Sequence, residues 1–242
     1  MSIHFAIPAT SFVLKSLLEA RLKIAYGGHA PPPVSVAPPP PRAPAGPGGG
    51  GGAPEAAGLH LFLHHAGPNT ALRNAFDPRV DAAGARVAEA PLALDLHYML
   101  AASGADLERE ALLGVGLAAF HRNGIVPRPM IEALLGGVAP PPGASFMNGM
   151  YAEPLADPAA QPQEMTISQQ AVDVDLSTKL WSALQSPLRP CAFFLVTAIY
   201  LQSDDAYPGG KAVDTVRTTV RPAADPDHPA GETAETTGGA AP

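Results

Sequence analysis

Cysteine, basic residues and long apolar runs are scarce in this chain, and each of these absences argues against a class of protein. It carries one cysteine in 242 residues, Cys191, so no disulfide can form within one chain, and a reducing compartment is expected. Lys and Arg number 15 against 22 Asp and Glu, the reverse of the balance in proteins that bind bare nucleic acid or anionic lipid. No apolar run reaches the ~18 residues of a membrane-spanning helix, and the basic start of a signal peptide is missing. These absences predict a cytoplasmic protein that by itself binds neither nucleic acid nor membrane.

Motifs for catalysis and cofactor binding are also scarce. The stretch from Gly46 to Gly51 fits the GxGxxG spacing, but prolines surround it, whereas a dinucleotide site needs a strand before the motif and a helix after it. His60, His64 and His97 lie on two expected strands and could converge on zinc if those strands are neighbours. Half-buried strand histidines more commonly fill space. The sequence therefore predicts no catalytic residue, no metal and no cofactor, with a metal-dependent enzyme as the lesser alternative.

Proline and glycine, in contrast, are abundant, with 29 and 24 residues, and they cluster. Residues 28–57 contain the runs Pro38–Pro41 and Gly48–Gly52. Proline removes amide donors and glycine maximises chain entropy, so such runs do not form a packed element. We expect this stretch to be a disordered loop inserted into the domain, with one short extended piece at Val34–Val36.

Hydrophobic periodicity predicts interleaved helices and strands in the rest of the chain up to residue 205. Residues 206–242 are rich in Ala, Pro, Gly, Thr and Asp, and we expect them to form a flexible C-terminal tail. Interleaving favours an α/β fold, as a single two-layer domain in which helices pack on a mixed sheet. One strand, Cys191–Gln202, is apolar on both faces and should be central. The expected helices start near Pro8, Asp106, Pro129 and Asp173, and the other expected strands start at Leu59, Leu92 and Met165.

The second of these helices carries the most detailed prediction. Asp106 is expected to cap its N-terminus, and Asn123–Gly124 is expected to end it in a left-handed turn. Its buried stripe is predicted to consist of Leu113, Gly116, Leu117 and Phe120.

Three blocks of sequence together resemble a known family. The first block runs from Gly58 to Asn74 and holds Pro-Asn-Thr-Ala-Leu-Arg-Asn. The second, Pro91–Leu100, holds Leu-Ala-Leu-Asp-Leu-His-Tyr. The third, Leu176–Ser182, holds Lys-Leu-Trp-Ser and is followed by Pro-Leu-Arg and the long apolar strand. Their order and spacing resemble the tail-terminator, or cap, proteins of extracellular contractile injection systems, which are phage-tail-like particles. The chain departs from that family at His64–His65, where a tyrosine and a polar residue are usual, and at Leu188, where an aromatic is usual.

The resemblance implies a phage tail-terminator-like fold and a structural protein rather than an enzyme. Such a chain would form a ring, expected to be a homohexamer, at the end of the particle distal to the baseplate. The ring would bind the last layers of the inner-tube protein and the sheath protein, and it would end their polymerisation. The protein would be made in the cytoplasm and assembled into a particle that stays in the cell or is released.

The same blocks supply a candidate assembly interface. The segment from Pro68 to Asn74 is specific in sequence, yet no apolar periodicity explains it as core, so we expect it to touch a neighbouring subunit or the tube. The alternative is that Asn69 and Asn74 only order a turn, and for Trp181 the alternative is a core aromatic. The candidate interface residues are Pro68, Asn69, Leu72, Arg73, Asn74, Trp181 and Arg189.

The sequence leaves two other functions open. One is a baseplate or connector component of the same particle, with the same fold at the opposite end. The other is an adaptor that binds a partner helix or a proline-binding domain through Pro38–Pro41.

Overall fold

A computed structural model describes residues 5–41, 55–75, 79–80, 86–136, 155 and 161–201 of the chain. Within these ranges, helices and strands are interleaved along the chain, as the sequence predicts. In chain order they are α1 (Ala6–Tyr26), β1 (Val34–Ser35), β2 (Gly58–Pro68), β3 (Arg79–Val80), β4 (Arg86–Ala88), β5 (Leu92–Ser103), α2 (Glu108–Arg122), β6 (Ile125–Val126), α3 (Arg128–Gly136), β7 (Met165–Gln170), α4 (Val174–Ala183) and β8 (Cys191–Leu201).

Six of the strands form one mixed sheet in the order β1-β2-β5-β8-β7-β6. β1 pairs with β2 in parallel, and the remaining neighbours in this sheet are antiparallel. β3 and β4 pair separately. β8 lies between β5 and β7, which confirms the central position predicted from its apolar sequence, because a strand with neighbours on both edges and packing on both faces is shielded from water.

One face of the sheet, the helix face, is packed against α1, α2 and α3. α1 turns one side inward, and its buried residues are Ala6, Ala9, Thr10, Val13, Leu14, Leu17, Leu18 and Leu22. The alternate residues of β5 meet them, namely Leu94, Leu96, Tyr98, Leu100 and Ala102. Burying one leucine side chain contributes about 1.5–3 kcal/mol, so this layer is the main source of stability.

The buried stripe of α2 is shifted from the predicted one. Leu112, Gly116, Ala119 and Phe120 are buried, whereas Leu113 and Leu117 are only half-buried. The shift follows from how closely α2 crosses β5. A Cβ atom placed on Gly116 would lie 2.7 Å from Leu100 Cδ2, so the helix is rotated to present its smallest residue at the crossing.

Both predicted ends of α2 are wrong in detail. Leu107, not Asp106, precedes the helix, and no side chain caps it; Asp106 instead has a φ of 50°. Asn123 has a φ of −109° and Gly124 does not have a positive φ, so the helix does not end in a left-handed turn. Instead, the backbone N–H and the side-chain Nδ2 of Asn123 both donate to the Ala119 carbonyl, at 3.2 Å and 2.8 Å.

The opposite side of the sheet, called the second face below, is only partly covered by the described residues. α4 packs on it through Trp181, which contacts the cluster Met99, Ala101 and Phe193. The turn after β2 packs on it through Leu72. The fold is therefore the predicted α/β domain with a mixed sheet, and α4 adds a partial third layer.

The first part of the proline-rich stretch is packed rather than free. Val34 pairs with Leu59 and is 5% exposed, which confirms the extended piece at the first two predicted positions. Pro39 is buried, and the Pro40 carbonyl accepts hydrogen bonds from two side chains. The expectation of a disordered loop is therefore wrong for residues 28–41. Residues 42–54 and the predicted tail 206–242 lie outside the described residues.

Among the described helices, none combines the length and the apolar character needed to cross a membrane.

Candidate functional site

The three sequence blocks come together on the second face. The first block supplies β2 and the turn after it, the second supplies β5, and the third supplies α4 and the approach to β8. β5 lies between β2 and β8, and alternate residues of each strand point to the same side of the sheet. Residues far apart in the sequence therefore form one continuous surface.

Asn69 fixes the turn that follows β2. Its Nδ2 donates to Asp95 Oδ1 at 2.8 Å and to Thr197 Oγ1 at 3.0 Å. Its Oδ1 accepts from the Leu72 backbone N–H at 2.9 Å, and its own N–H donates to the Ala93 carbonyl at 2.9 Å. The side chain is thus engaged within the chain, and its role is to hold the turn.

The turn presents Pro68, Arg73 and Asn74 to solvent. Leu72 anchors it by packing on three buried side chains of the second face, which are Ala93, Ala198 and Tyr200. An exposed guanidinium on a fixed backbone can make paired hydrogen bonds to a carboxylate. Arg73 is therefore well placed for a contact outside the chain.

Asp95 and Thr197, which hold Asn69, were missed as site residues by sequence reasoning. The signal for them is present, because Thr197 interrupts the apolar run of β8 and Asp95 is a charged residue between two leucines of β5. Polar side chains in such positions need a hydrogen-bond partner. What the sequence does not show is that the two strands are neighbours and that both residues reach the same amide.

Histidines line the middle of the second face. A bulge in β2 between Leu63 and His65 brings His65 opposite His97. The centroid of the His97 ring lies 5.2 Å from that of His65 and 6.1 Å from that of His64, and His97 Nδ1 is 3.0 Å from Gln170 Oε1. Burial, followed by the neighbouring His97 and His65, lowers the pKa of His64, so its neutral form is favoured.

His60 lies apart from this group, so the predicted alternative of a zinc site made by His60, His64 and His97 is not assembled. His60 pairs with Ala101, four positions from His97 along β5. Its ring nitrogens bond instead to Ser35 Oγ at 2.9 Å and Ser103 Oγ at 3.0 Å. Burial and, secondly, the charge of Arg189 lower the pKa of His60. Across the described ranges, no group of three or more His, Cys, Asp or Glu residues is placed to hold a metal ion.

Trp181 is a core residue of the second face. It lies on α4 and is 3% exposed. Asp173 caps the N-terminus of α4, because its carboxylate accepts a hydrogen bond from the Asp175 N–H at 3.4 Å. The neighbouring thiol of Cys191 is half-buried, and burial raises its pKa, opposed by the side chains of Trp181 and Ser177. A raised pKa disfavours the reactive thiolate, so this cysteine acts as packing.

Arg189 is an internal link rather than an exposed contact. It is 4% exposed; its Nε donates to Glu55 Oε1 at 2.7 Å, and its Nη2 donates to the same oxygen and to the Pro40 carbonyl at 3.0 Å. Its Nη1 donates to Ser186 Oγ. These bonds tie the segment just before β8 to Pro40 and to Glu55, which lies three residues before β2. In the single chain, Trp181 and Arg189 therefore shape the candidate surface from inside, and its exposed members are Pro68, Arg73 and Asn74.

Two solved structures are similar to the chain. No curated protein sequence matches the chain. The sheath/tube terminator of an extracellular contractile injection system, PVC, in its extended state, solved by cryo-EM, is similar with a TM-score of 0.48 and 15% identity, over 88% of this chain and 63% of that one. The anti-feeding prophage cap, a tube terminating cap, is similar with a TM-score of 0.47 and 15% identity, over 86% and 60%. The chain thus spans less than two thirds of either protein.

The family follows from the sequence match, which covers residues 9–215 and so includes all three blocks. The chain belongs to the Pvc16 N-terminal domain family.

Proposed function

We propose that this protein is a structural terminator of a contractile injection particle. Copies of the chain form a closed ring, a homohexamer, at the end of the particle distal to the baseplate. The ring binds the last layers of inner tube and sheath and ends their polymerisation. The observation that carries this proposal is the family match over residues 9–215.

The physical task of such a protein is adhesion and shape rather than catalysis. Rings that stack through head-to-tail interfaces propagate indefinitely unless one member lacks half of the interface. A terminator presents a surface that fits the last ring and offers no copy of the opposite surface. Neither step needs a bond to be made or broken.

The second face supports a specific contact in this assembly. The turn carrying Pro68, Arg73 and Asn74 is held by the four hydrogen bonds of Asn69 and by the packing of Leu72. A surface that is ordered before binding loses little conformational entropy when it binds. We therefore assign this turn to the contact with a neighbouring subunit or the inner tube, with the Arg73 guanidinium bound to a carboxylate or to backbone carbonyls.

The test is to produce particles with the complete chain, without it, and with Arg73→Ala, and to compare their lengths and ends by electron microscopy. Without the chain, we expect a broad distribution that extends to longer tubes. An affinity-labelled copy should mark the end away from the baseplate, and native mass measurement should give a hexameric ring. Label at the baseplate, or unchanged lengths without the chain, would contradict the proposal.

The contact of Arg73 is tested separately from the function. Arg73→Ala should weaken ring formation or lower the fraction of capped particles. Arg122→Ala is the matched control, because Arg122 is an exposed basic residue on α2, on the helix side of the domain. Normal rings and normal particle lengths with Arg73→Ala would reject this contact and leave the terminator function standing.

A further inference from the structure

Two histidines face each other across β2 and β5 on the second face. The bulge makes His64 the extra residue of β2, and the register beyond it pairs His65 with His97. Facing residues of antiparallel strands hold their Cβ atoms about 4.5–5.5 Å apart. The two ring centroids are 5.2 Å apart, and the ring planes meet at 46°. The sheet itself therefore holds this pair of imidazoles close together.

The separation of the two rings fits imidazoles that bind one metal ion. Nitrogen–metal bonds of about 2.0–2.1 Å and a tetrahedral angle put the ring centroids about 5 Å apart. The His64 ring lies farther from that of His97, at 6.1 Å between centroids, and it stands edge-on to Phe193 at 5.7 Å. His65 and His97 therefore have the spacing of a chelating pair, and His64 does not belong to it.

Gln170 sets which nitrogen of His97 carries a lone pair. Nδ1 of His97 is 3.0 Å from Oε1 of Gln170, and an amide oxygen only accepts hydrogen bonds. Nδ1 therefore carries the proton, and Nε2 carries the lone pair that binds a metal. Histidine ligands of metals are oriented in this way, by a hydrogen bond from the other ring nitrogen to a carbonyl or carboxylate oxygen.

Gly67 leaves room beside the other ring. It lies two residues after His65, on the same side of β2, because alternate residues of a strand share a face. A Cβ atom added at Gly67 would lie 3.0 Å from Nε2 of His65, so the ring atom nearest to this space is a nitrogen. Asp95 pairs with Gly67 and lies on the same side of β5 as His97. Its carboxylate adds negative charge that attracts a cation to this space.

We propose that His65 and His97 bind one divalent transition-metal ion of the Ni²⁺, Cu²⁺ and Zn²⁺ class above Gly67. Neutral imidazole suits these ions, and water supplies the remaining ligands. His65 is exposed, so the ion reaches the pair from solvent, and once bound it links β2 to β5 beside the turn that carries Arg73. This site departs from the sequence expectation of no metal, and it does not depend on the terminator function.

Calorimetric titration of the complete chain with Ni²⁺, without a polyhistidine tag, tests the ligands. His65→Gln and His97→Gln should each weaken the tightest Ni²⁺ site by at least about tenfold. His121→Gln is the matched control, because His121 is an exposed histidine on α2, and it should bind as the unmodified chain does. Circular dichroism shows that each variant is folded. Unchanged affinity in either of the first two variants, or an equal loss in His121→Gln, would overturn the proposal.

Gly67→Ala tests the position of the ion while both rings are kept. Its Cβ would occupy the space beside Nε2 of His65, so Ni²⁺ should bind about as weakly as after the loss of a ligand. Gly114→Ala is the control, because a Cβ there meets no described heavy atom within 4 Å. Full Ni²⁺ affinity in Gly67→Ala would overturn the placement above Gly67.

Paramagnetic Cu²⁺ locates the ion in the unmodified chain, without any substitution. NMR signals of the nuclei nearest to Cu²⁺ broaden first when less than one equivalent is added. The amides of His65, Gly67 and His97 should broaden before the amide of His121. Broadening that begins away from the first three amides would overturn the proposal.

Discussion

The side chain of Asn69 donates a hydrogen bond of 2.8 Å to the carboxylate of Asp95. The first residue lies in the exposed turn after β2 and the second is the fourth residue of β5, so the bond ties the most accessible part of the candidate surface to a strand inside the sheet. Hydrogen bonds to an ionised acceptor are stronger than neutral ones. The position of Arg73, four residues after Asn69, is therefore fixed from within the domain.

Replacing Asn69 tests this arrangement. Asn69→Ala should lower the free energy of unfolding by about 1–3 kcal/mol, because it removes the partner of Asp95, Thr197 and the Leu72 N–H at once. Urea unfolding followed by circular dichroism measures the change. Asn74→Ala, in the same turn but exposed, should change stability by no more than about 0.5 kcal/mol. Equal stability of the two variants would contradict the anchoring role of Asn69.

The buried guanidinium of Arg189 predicts a larger effect. Arg189→Ala should lower the free energy of unfolding by about 3–5 kcal/mol, since Glu55 loses its ion-pair partner and the Pro40 carbonyl and Ser186 lose donors. Arg189→Lys should recover only part of the loss, because an ammonium cannot reproduce the planar fork. Denaturant titration of both variants, with Arg122→Ala as an exposed control, is the measurement. A loss below about 1 kcal/mol for Arg189→Ala would show that these bonds do not hold the segment.

Two glycines on α2, Gly116 and Gly114, allow a test of how closely this helix packs on β5. Gly116→Ala places its Cβ against Leu100, which is fully buried and has little room to move. At Gly114 a Cβ would have no described heavy atom within 4 Å. Gly114→Ala should stabilise the chain by up to about 1 kcal/mol through helix propensity. Gly116→Ala should be less stable than Gly114→Ala by about 1–3 kcal/mol because of overpacking, and thermal melting of the pair measures this difference.

The lowered pKa of His64 predicts how stability depends on pH. The unfolded chain takes up a proton on this ring near pH 6.5, its ordinary pKa, while the folded chain does so only at lower pH. The unfolded state therefore binds more protons in that window, and the free energy of unfolding should fall as the pH drops below about 6.5.

His64→Gln should flatten this pH dependence. Part of the pH dependence that remains in the variant should come from His60, whose pKa is lowered as well. At pH 8, where these rings are neutral in both states, the variant and the unmodified chain should differ only by the packing that is lost. Urea unfolding at several values between pH 5 and pH 8 separates the two effects. A variant curve parallel to that of the unmodified chain over the whole range would show that His64 does not contribute.

Much of the fold was predictable from the sequence, because the signals involved are local. The alternation in Leu92–Leu100 and the long apolar run from Cys191 gave β5 and the central β8, and helical spacing of leucines gave α1. The ends of α2 were not predictable in the same way. Its capping residues and its buried stripe depend on how closely Gly116 approaches Leu100, which is a property of packing and not of the helix itself.

Local patterns along the chain were enough to predict the interleaved helices and strands, the family, and the residues that carry the resemblance. Which of those residues face outward depends on the packing in three dimensions. That packing joins Asn69 to Asp95 and to Thr197, turns Arg189 inward to Glu55, and leaves Arg73 exposed. It also separated His60 from His97, although both lie on paired strands. The physical reason is that periodicity along a chain reports which side of an element is apolar, whereas strand order, register and bulges decide which distant side chains meet.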